Sequence, residues 1–276
     1  MKKYYCILLS LILSLPLWAQ GQISTRKHKL ADFTDKVTQV VLTGNEMLTS
    51  ALREEVVTGW TASAFEFCTL DRFEKIKSED KYYFLMVAES SGVNFLTLLK
   101  GSPEAKDGGM SAMHEVISLP LVAAMGGSGR ELTYLGGLIK TVQEFTLEAM
   151  ESEKVAYGME LWVNKNYDKW GHTKQIRLAS EDLSENVTEK DLQKYLDEDF
   201  QVMDTADADQ AYLDAQYNTL VSYVVAPLFP EKGDVCYKML FEAETHTLYY
   251  LSKHKIDARK GAGFLPEDLK RLARKR

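Results

Sequence analysis

The order of elements readable between Thr38 and about Met150 recurs between Lys174 and the C-terminus, so the chain reads as one folding unit written twice. A repeat of this length constrains the fold more than any local propensity, because both copies must satisfy one architecture. The first copy has strand-like runs at TQVVLT (38–43), AFEFCTL (64–70) and YYFLMVA (82–88), with helical patterns from Glu46 to Val57 and from Asp71. The second has KQIRLA (174–179), DFQVMD (199–204) and TLVSYVVA (219–226), with helices after Thr188 and from Asp207. Phe65 and Phe200, Tyr82 and Tyr217, and Leu85 and Leu220 align at one shift of about 135 residues, and Gln39 and Gln175 drift from it by one. Further on, VNFLTLLK, HEVISLPLV, GGSGR and a long helix match VCYKMLFEA, HTLYYLSKH, KGAGF and a terminal helix. Identity between the halves is close to chance, so two unrelated segments of similar order remain the alternative.

Strands one and three of each copy are nearly continuous apolar runs, the pattern of strands covered by helices on both faces, while the fourth and fifth read as an antiparallel meander. The expected fold class is therefore α/β, with two repeated lobes, each a mixed sheet with helices in the order βαβαβββα. In lobe 2, Glu244-Thr245 is the expected hairpin turn and FPEKGD (229–234) a longer loop. Four helix starts carry a capping pattern: Thr43 with Glu46, Asp71 with Glu74, Thr188 with Asp191, and Asp207 with Gln210. Along the helix from about Glu131 to Ser152, Leu132, Leu135, Ile139, Val142, Phe145 and Ala149 mark one face. Gly136 and Gly137 interrupt that helix at about 1 kcal/mol each relative to Ala, which predicts a close neighbour, either the sheet of lobe 1 or the other lobe.

The start of the chain predicts its compartment. Lys2 and Lys3 precede an uncharged apolar run from Tyr4 to Trp18, and Leu17-Trp18-Ala19 offers a small-residue cleavage site, so residues 1–20 read as a secretory signal peptide. The run is short of the roughly 20 residues that span a bilayer, so no transmembrane segment is expected in the mature chain. Cys6 lies inside the run and is not placed as a lipid acceptor. Removal of residues 1–20 takes away Lys2 and Lys3 and no acid, which moves the net charge from −7 to about −9 and excludes nucleic acid as an expected partner. The expected division is then lobe 1 over 21–152, an aromatic-rich connection over 153–173 packed at the lobe interface, and lobe 2 over 174–276.

The order βαβαβββα resembles the anticodon-binding-like lobes of the amino-terminal TolB domain and related envelope accessory proteins. The resemblance lies in element order and transfers no motif residue. It implies an interaction module and names no partner.

No catalytic signature stands out, and each candidate constellation has a plainer reading beside it. Gly127-Ser128-Gly129 with Arg130, and Lys260 with Gly261-Ala262-Gly263, each precede a helix, where backbone amides are able to cradle an anion. The first lacks the third glycine of the dinucleotide fingerprint, and the plainer reading of both is a strand-to-helix turn that needs φ > 0. His28, His114, His172, His246 and His254 include no i, i+4 pair, and His246 and His254 would stand about 26 Å apart on an unbroken strand, so no metal is expected. Asp204, Asp207, Asp209 and Asp214 lack the glycine and terminal Glu of a calcium loop, and helix-start carboxylates explain them. Ser128 does not sit in Gly-x-Ser-x-Gly. The basic tail from Lys270 is matched to a helix C-terminus. Cys68 and Cys236 make a disulfide possible in an oxidising compartment, although buried free thiols are common on such strands.

These features predict a secreted, periplasmic, non-enzymatic interaction or ligand-binding protein with no cofactor, whose partner is an envelope protein or a small molecule. A small-molecule hydrolase using the cleft between lobes is the second expectation, and a self-assembling envelope component the third.

Overall fold

The computed structural model describes residues 26–274, so the expected leader, residues 1–20, lies outside the described residues. Helix α1 (Arg26–Leu30) leads into lobe 1: β1 (Val37–Val41), α2 (Glu46–Gly59), β2 (Ala64–Cys68), α3 (Leu70–Ile76), β3 (Tyr82–Ser90), β4 (Val93–Lys100), the short α4 (Ala105–Gly108), β5 (His114–Ala123) and the long α5 (Arg130–Glu151). Helices α6 (Glu153–Tyr157) and α7 (Met159–Trp170) then connect to lobe 2. Lobe 2 comprises β6 (Gln175–Ala179), α8 (Glu189–Tyr195), β7 (Phe200–Met203), α9 (Thr205–Leu213), β8 (Thr219–Val225), β9 (Val235–Glu242), β10 (Leu248–Lys255) and α10 (Pro266–Arg274).

The two sheets have one topology. Their orders are β2-β1-β3-β4-β5 and β10-β9-β8-β6-β7, so in each lobe the first strand lies between the second and third. Strands β1, β2 and β3 are parallel and β3, β4 and β5 antiparallel; β6, β7 and β8 and then β8, β9 and β10 repeat this. Along β3, Tyr83 and Leu85 enter one core while Phe84 and Met86 enter another, the period-two consequence of a sheet covered on both faces. The hairpin between β9 and β10 turns over residues 243–247, with His246 at φ 56°.

The capping patterns hold at one helix of four. Thr188 and Asp191 form the capping box of α8. Asn45, not Thr43, caps α2 through Leu48 N, and Thr69, not Asp71, caps α3 through Arg72 N. Helix α9 starts at Thr205, which leaves Asp207 in its first turn instead of at the cap. In three cases a nearer Asn, Thr or Asp takes the position from which the chain actually turns.

The long helix α5 has two buried stripes, where the apolar pattern marked one. Leu135, Ile139, Val142 and Ala149 are buried on the stripe that continues the core of lobe 1. Tyr134 stacks on Tyr223 of lobe 2 at 4.5 Å with the rings 13° apart, and it also meets Tyr212 and Phe241. Lys140 reaches Thr247 Oγ1 at 3.1 Å on the same side. A single apolar core therefore runs from Leu85, Leu96 and Leu119 through α5 to Met239 and Phe241, so the lobes share a core as well as keeping one each. The glycines answer to different neighbours. A Cβ on Gly137 would lie 2.8 Å from Tyr212 Oη and 2.9 Å from the His246 carbonyl oxygen, whereas one on Gly136 would lie 2.4 Å from Glu55 Oε2 of α2.

The connection between lobes is helical. Trp162 packs edge-on to Phe145 and Tyr167 to Tyr250, while Tyr157 and Trp170 are largely exposed. The Asn164 amide of α7 donates to Leu251 O and accepts from Leu251 N, both at 2.9 Å, and so supplies the edge strand β10 with the partner its backbone lacks. Cys68 and Cys236 are buried free thiols, in the lobe 1 and lobe 2 sheets, so the possible disulfide is not formed. Burial pushes the Cys236 thiol up to about 11.

The segment before β1 brings charge onto lobe 1. Burial opposes ionisation of Asp32, but hydrogen bonds from Lys100, Lys36 and Tyr83 outweigh it and hold the carboxyl down at about 2. His114 is pushed down to about 4 by burial first and then by Lys29, Arg26 and Lys100. Between pH 6.5 and 4 the unfolded chain therefore takes up a proton at His114 that the folded chain refuses, and stability falls as pH drops through that window. The expected loss is about 2 kcal/mol after discounting for partial exposure, and it is complete near pH 4. His114→Gln should remove this slope while leaving the separate Asp32 loss below pH 4, which thermal melts over pH 3–8 would read. An unchanged slope in the variant would assign it elsewhere.

Candidate functional site

In both sheets the chain leaves the first strand toward one neighbour and returns on its other side, so the connections at the carboxyl ends of strands one and three diverge. Open α/β sheets bind ligands at such switch points. In lobe 1 this position holds an open crevice of about 900 Å³. Its floor is Val41, Leu48, Met86, Val87 and Val122, and its polar groups come from Thr43, Asn45, Thr69, Asp71, Asn94 and Glu131.

Local structure explains the disposition of these groups. The β1–α2 turn is internally hydrogen-bonded: Thr43 Oγ1 accepts from Asn45 N at 3.1 Å, and Asn45 Oδ1 accepts from Leu48 N at 3.0 Å. Thr69 Oγ1 accepts from Arg72 N at 3.3 Å. Two helix starts thus border the crevice with amides already served by their own caps. Among the described residues no Lys or Arg lines it, and the charged groups there are Asp71 and Glu131.

The residues singled out in the sequence are distributed around this region. Gly127 lines the crevice, and a Cβ there would meet the Glu131 carboxylate at 2.4 Å. Gly129, at φ 86°, donates its N–H to Glu131 Oε2 at 2.9 Å, so the first glycine turn already holds an anion, the carboxylate of its own helix. Arg130 turns away into the lobe junction. Its Nη1 donates to Asp182 Oδ1 and its Nε to Asp209 Oδ2, both at 2.8 Å, and its Nη2 donates to the Ser222 carbonyl at 3.1 Å. Burial works against the guanidinium's charge, but Asp182 and Asp209 outweigh it and hold Arg130 above its ordinary value. Tyr134 donates to Asp209 Oδ1 at 2.7 Å, and Ser222 Oγ donates to Asp182 Oδ2 at 2.6 Å, so the cluster is internally satisfied.

In the second turn, Gly261 donates to Asn186 Oδ1 at 2.9 Å, Gly263 to Cys236 Sγ at 3.2 Å, and Lys260 pairs with Glu267 at 2.7 Å. This turn closes lobe 2. Ser184 N donates to Phe264 O at 3.0 Å and Phe264 N to Asp182 O at 2.7 Å, which ties the segment after β6 to the one before α10. Gly263, at φ 102°, permits it, since a Cβ there would lie 2.6 Å from Ser184 N. The corresponding segments of lobe 1, 42–45 and 126–127, both line the open crevice.

The two lobes thus differ at their switch points, with a crevice of about 900 Å³ in lobe 1 and a pocket of about 250 Å³ in lobe 2. The crevice of lobe 1 carries no signature in the sequence, because Thr43 and Asp71 fit capping patterns and Asn45, Thr69 and Asn94 belong to no motif. Among the described residues no group of three or more His, Cys, Asp or Glu is arranged to hold a metal ion, and no helix is long and apolar enough to cross a membrane. Compared with protein-family models, with curated proteins and with solved structures, the chain shows no match, so its resemblance to TolB-type lobes rests on element order alone.

Proposed function

We propose that this chain is a periplasmic binding protein of the cell envelope that holds a partner or ligand, without catalysis, in the open crevice of lobe 1. The observation that supports this reading is the asymmetry between lobes of one topology: a crevice of about 900 Å³ at the switch point of lobe 1, and at that of lobe 2 a pocket of about 250 Å³ whose Arg130 is committed to Asp182. Hydroxyls, amides and two carboxylates over an apolar floor suit recognition by hydrogen bonding more than proton transfer. At the junction that a hydrolase would use, the Tyr134–Tyr223 stack and the Arg130 ion pairs occupy the centre, and the pockets beside them, of about 250 and 500 Å³, are smaller than the lobe 1 crevice. The signal-peptide reading of residues 1–20 supports the compartment.

A photo-crosslinking side chain at Thr49, inside the crevice, compared with one at Gln201, on the exposed surface of lobe 2, tests the site in the native envelope. Adducts formed at Thr49 and absent at Gln201 are expected, on protein recovered from the periplasmic fraction without residues 1–20. Equal labelling at both positions would remove the crevice as the site, and recovery of the intact chain from the cytoplasm would remove the compartment.

A further inference from the structure

We infer that helix α10 is an acid-released latch on lobe 2, and that a proton taken up by His254 opens it. The latch is independent of what the lobe 1 crevice binds.

Helix α10 is docked through a small number of ties. Its Leu269 and Leu272 share a core with Leu240 and Tyr250 of the lobe 2 sheet, and its Asp268 pairs with Lys238 of β9, a lysine only 2% exposed. The same carboxylate holds the start of the helix, since Asp268 Oδ2 accepts from Leu265 N at 2.8 Å. The turn before the helix is tied to the two outer strands: Gly263 N donates to Cys236 Sγ on β9, and His254 Nε2 on β10 bonds the Gly261 carbonyl at 2.9 Å. Because α10 supplies no strand to the sheet, it can leave while every strand pairing of lobe 2 stays intact.

The sheet face beneath it is not satisfied. Antiparallel pairing sets Ser252 opposite Lys238 and His254 opposite Cys236, and the strand period puts Tyr250 on the same face. Tyr250 Oη, Ser252 Oγ and His254 Nδ1 are all buried without a hydrogen-bond partner, three of six such side-chain atoms among the described residues. Unpaired polar atoms gathered under one helix oppose its docking, so α10 is held less firmly than the strands it covers.

His254 is the member of this cluster that changes charge at mild acidity. A carbonyl oxygen only accepts, so the bond to Gly261 places the hydrogen of the neutral ring on Nε2 and leaves Nδ1 as a bare acceptor. A proton at Nδ1 would create a cation facing Cys236 and Lys238 of β9, Asp268 of α10 and Lys260 of the turn. Both carboxylates of α10 are already engaged, Asp268 with Lys238 and Glu267 with Lys260. Burial, with Lys238 and Lys260 behind it, outweighs the Gly261 bond and Asp268 and holds His254 below its ordinary value of 6.5. With α10 undocked the ring is solvated and takes up the proton more readily, so docking weakens as pH falls below 6.5.

Hydrogen exchange of the full mature chain at pH 7.5 and pH 5, corrected for the intrinsic rate and read by mass spectrometry, tests the latch. Expected is a loss of about tenfold in protection across α10 and the turn before it at pH 5, exceeding any loss in β8 or in the sheet of lobe 1. The same loss is expected in His114→Gln, which removes the acid response of lobe 1. His254→Gln, which keeps a donor for the Gly261 carbonyl, should flatten the pH response, and Asp268→Asn should expose α10 at both pH values. Equal protection of α10 at the two pH values, or an unchanged response in His254→Gln, would overturn the inference. Should His254→Gln undock α10 already at pH 7.5, NMR titration of the His254 ring in the parent chain decides. A midpoint shared with the opening of α10 supports the latch, and separate midpoints overturn it.

Discussion

Arg130→Ala is expected to destabilise the protein by about 3–5 kcal/mol, read as a lower urea midpoint, because it leaves Asp182 and Asp209 without their cation in a largely buried site. The guanidinium side chain is 10% exposed and the two carboxylates 3% and 15%, so little water is at hand to replace the lost pairing. The triple variant Arg130→Met, Asp182→Leu, Asp209→Leu should recover most of that loss, since removing all the charges together leaves none uncompensated. A loss below about 1 kcal/mol in the single variant would mean that the cluster is solvated and does not join the lobes. The cluster links α5 of lobe 1 with β8 and α9 of lobe 2, so the single variant should also raise amide exchange at Ser222 and in α9 before it does so in the sheet of lobe 1.

Gly137→Val should cost about 3 kcal/mol by overpacking, whereas Gly136→Ala, one residue earlier in the same helix, should be neutral or stabilising by up to about 1 kcal/mol. The difference comes from what each new side chain meets. At position 137 the obstacles are the Tyr212 hydroxyl, the Phe241 ring and the His246 backbone carbonyl, all held in the packed interface with lobe 2. At position 136 the obstacle is the free end of the Glu55 side chain, which can swing away while the helix gains the propensity of alanine. Paired denaturation curves would check this, and equal effects at the two positions would show that α5 does not set the spacing of the lobes.

Much of the architecture was readable because it is written in period and order. VNFLTLLK was legible as a strand to the residue, and the apolar runs at β1, β3, β6 and β8 implied strands covered on both faces, which the structure pairs in parallel as β1 with β3 and β6 with β8. The caps were less legible, because Thr43, Asn45, Thr69 and Asp71 all have side chains suited to capping, and only the path of the chain decides which stands at the turn. The connection over 153–173 was recognisable as packed from its aromatics but not as helical, since Trp162 and Tyr167 declare burial without declaring a period.

The candidate site was legible only in outline. The strand order that creates a switch point in each lobe is a fact of the sheets, and no local pattern distinguishes Ser184 and Phe264, which are joined by backbone hydrogen bonds, from Thr43 and Gly127, which line the larger crevice. Arg130 was visible beside a glycine turn, yet its partners lie 52 and 79 residues away, so its commitment to Asp182 and Asp209 is a fact of assembly.

By itself the sequence determined the duplicated α/β order, the mixed pairing of the strands and the interruption of the long helix by two glycines. Those are properties of hydrophobic period and backbone chemistry, which act over a few residues. Only the tertiary structure decided that α5 serves two lobes, that the crevice of lobe 1 is the larger of the two, and which carboxylates border it. These depend on which distant surfaces meet, and the free energy of that choice lies in packing and in the pairing of buried charges, neither of which leaves a periodic trace along the chain.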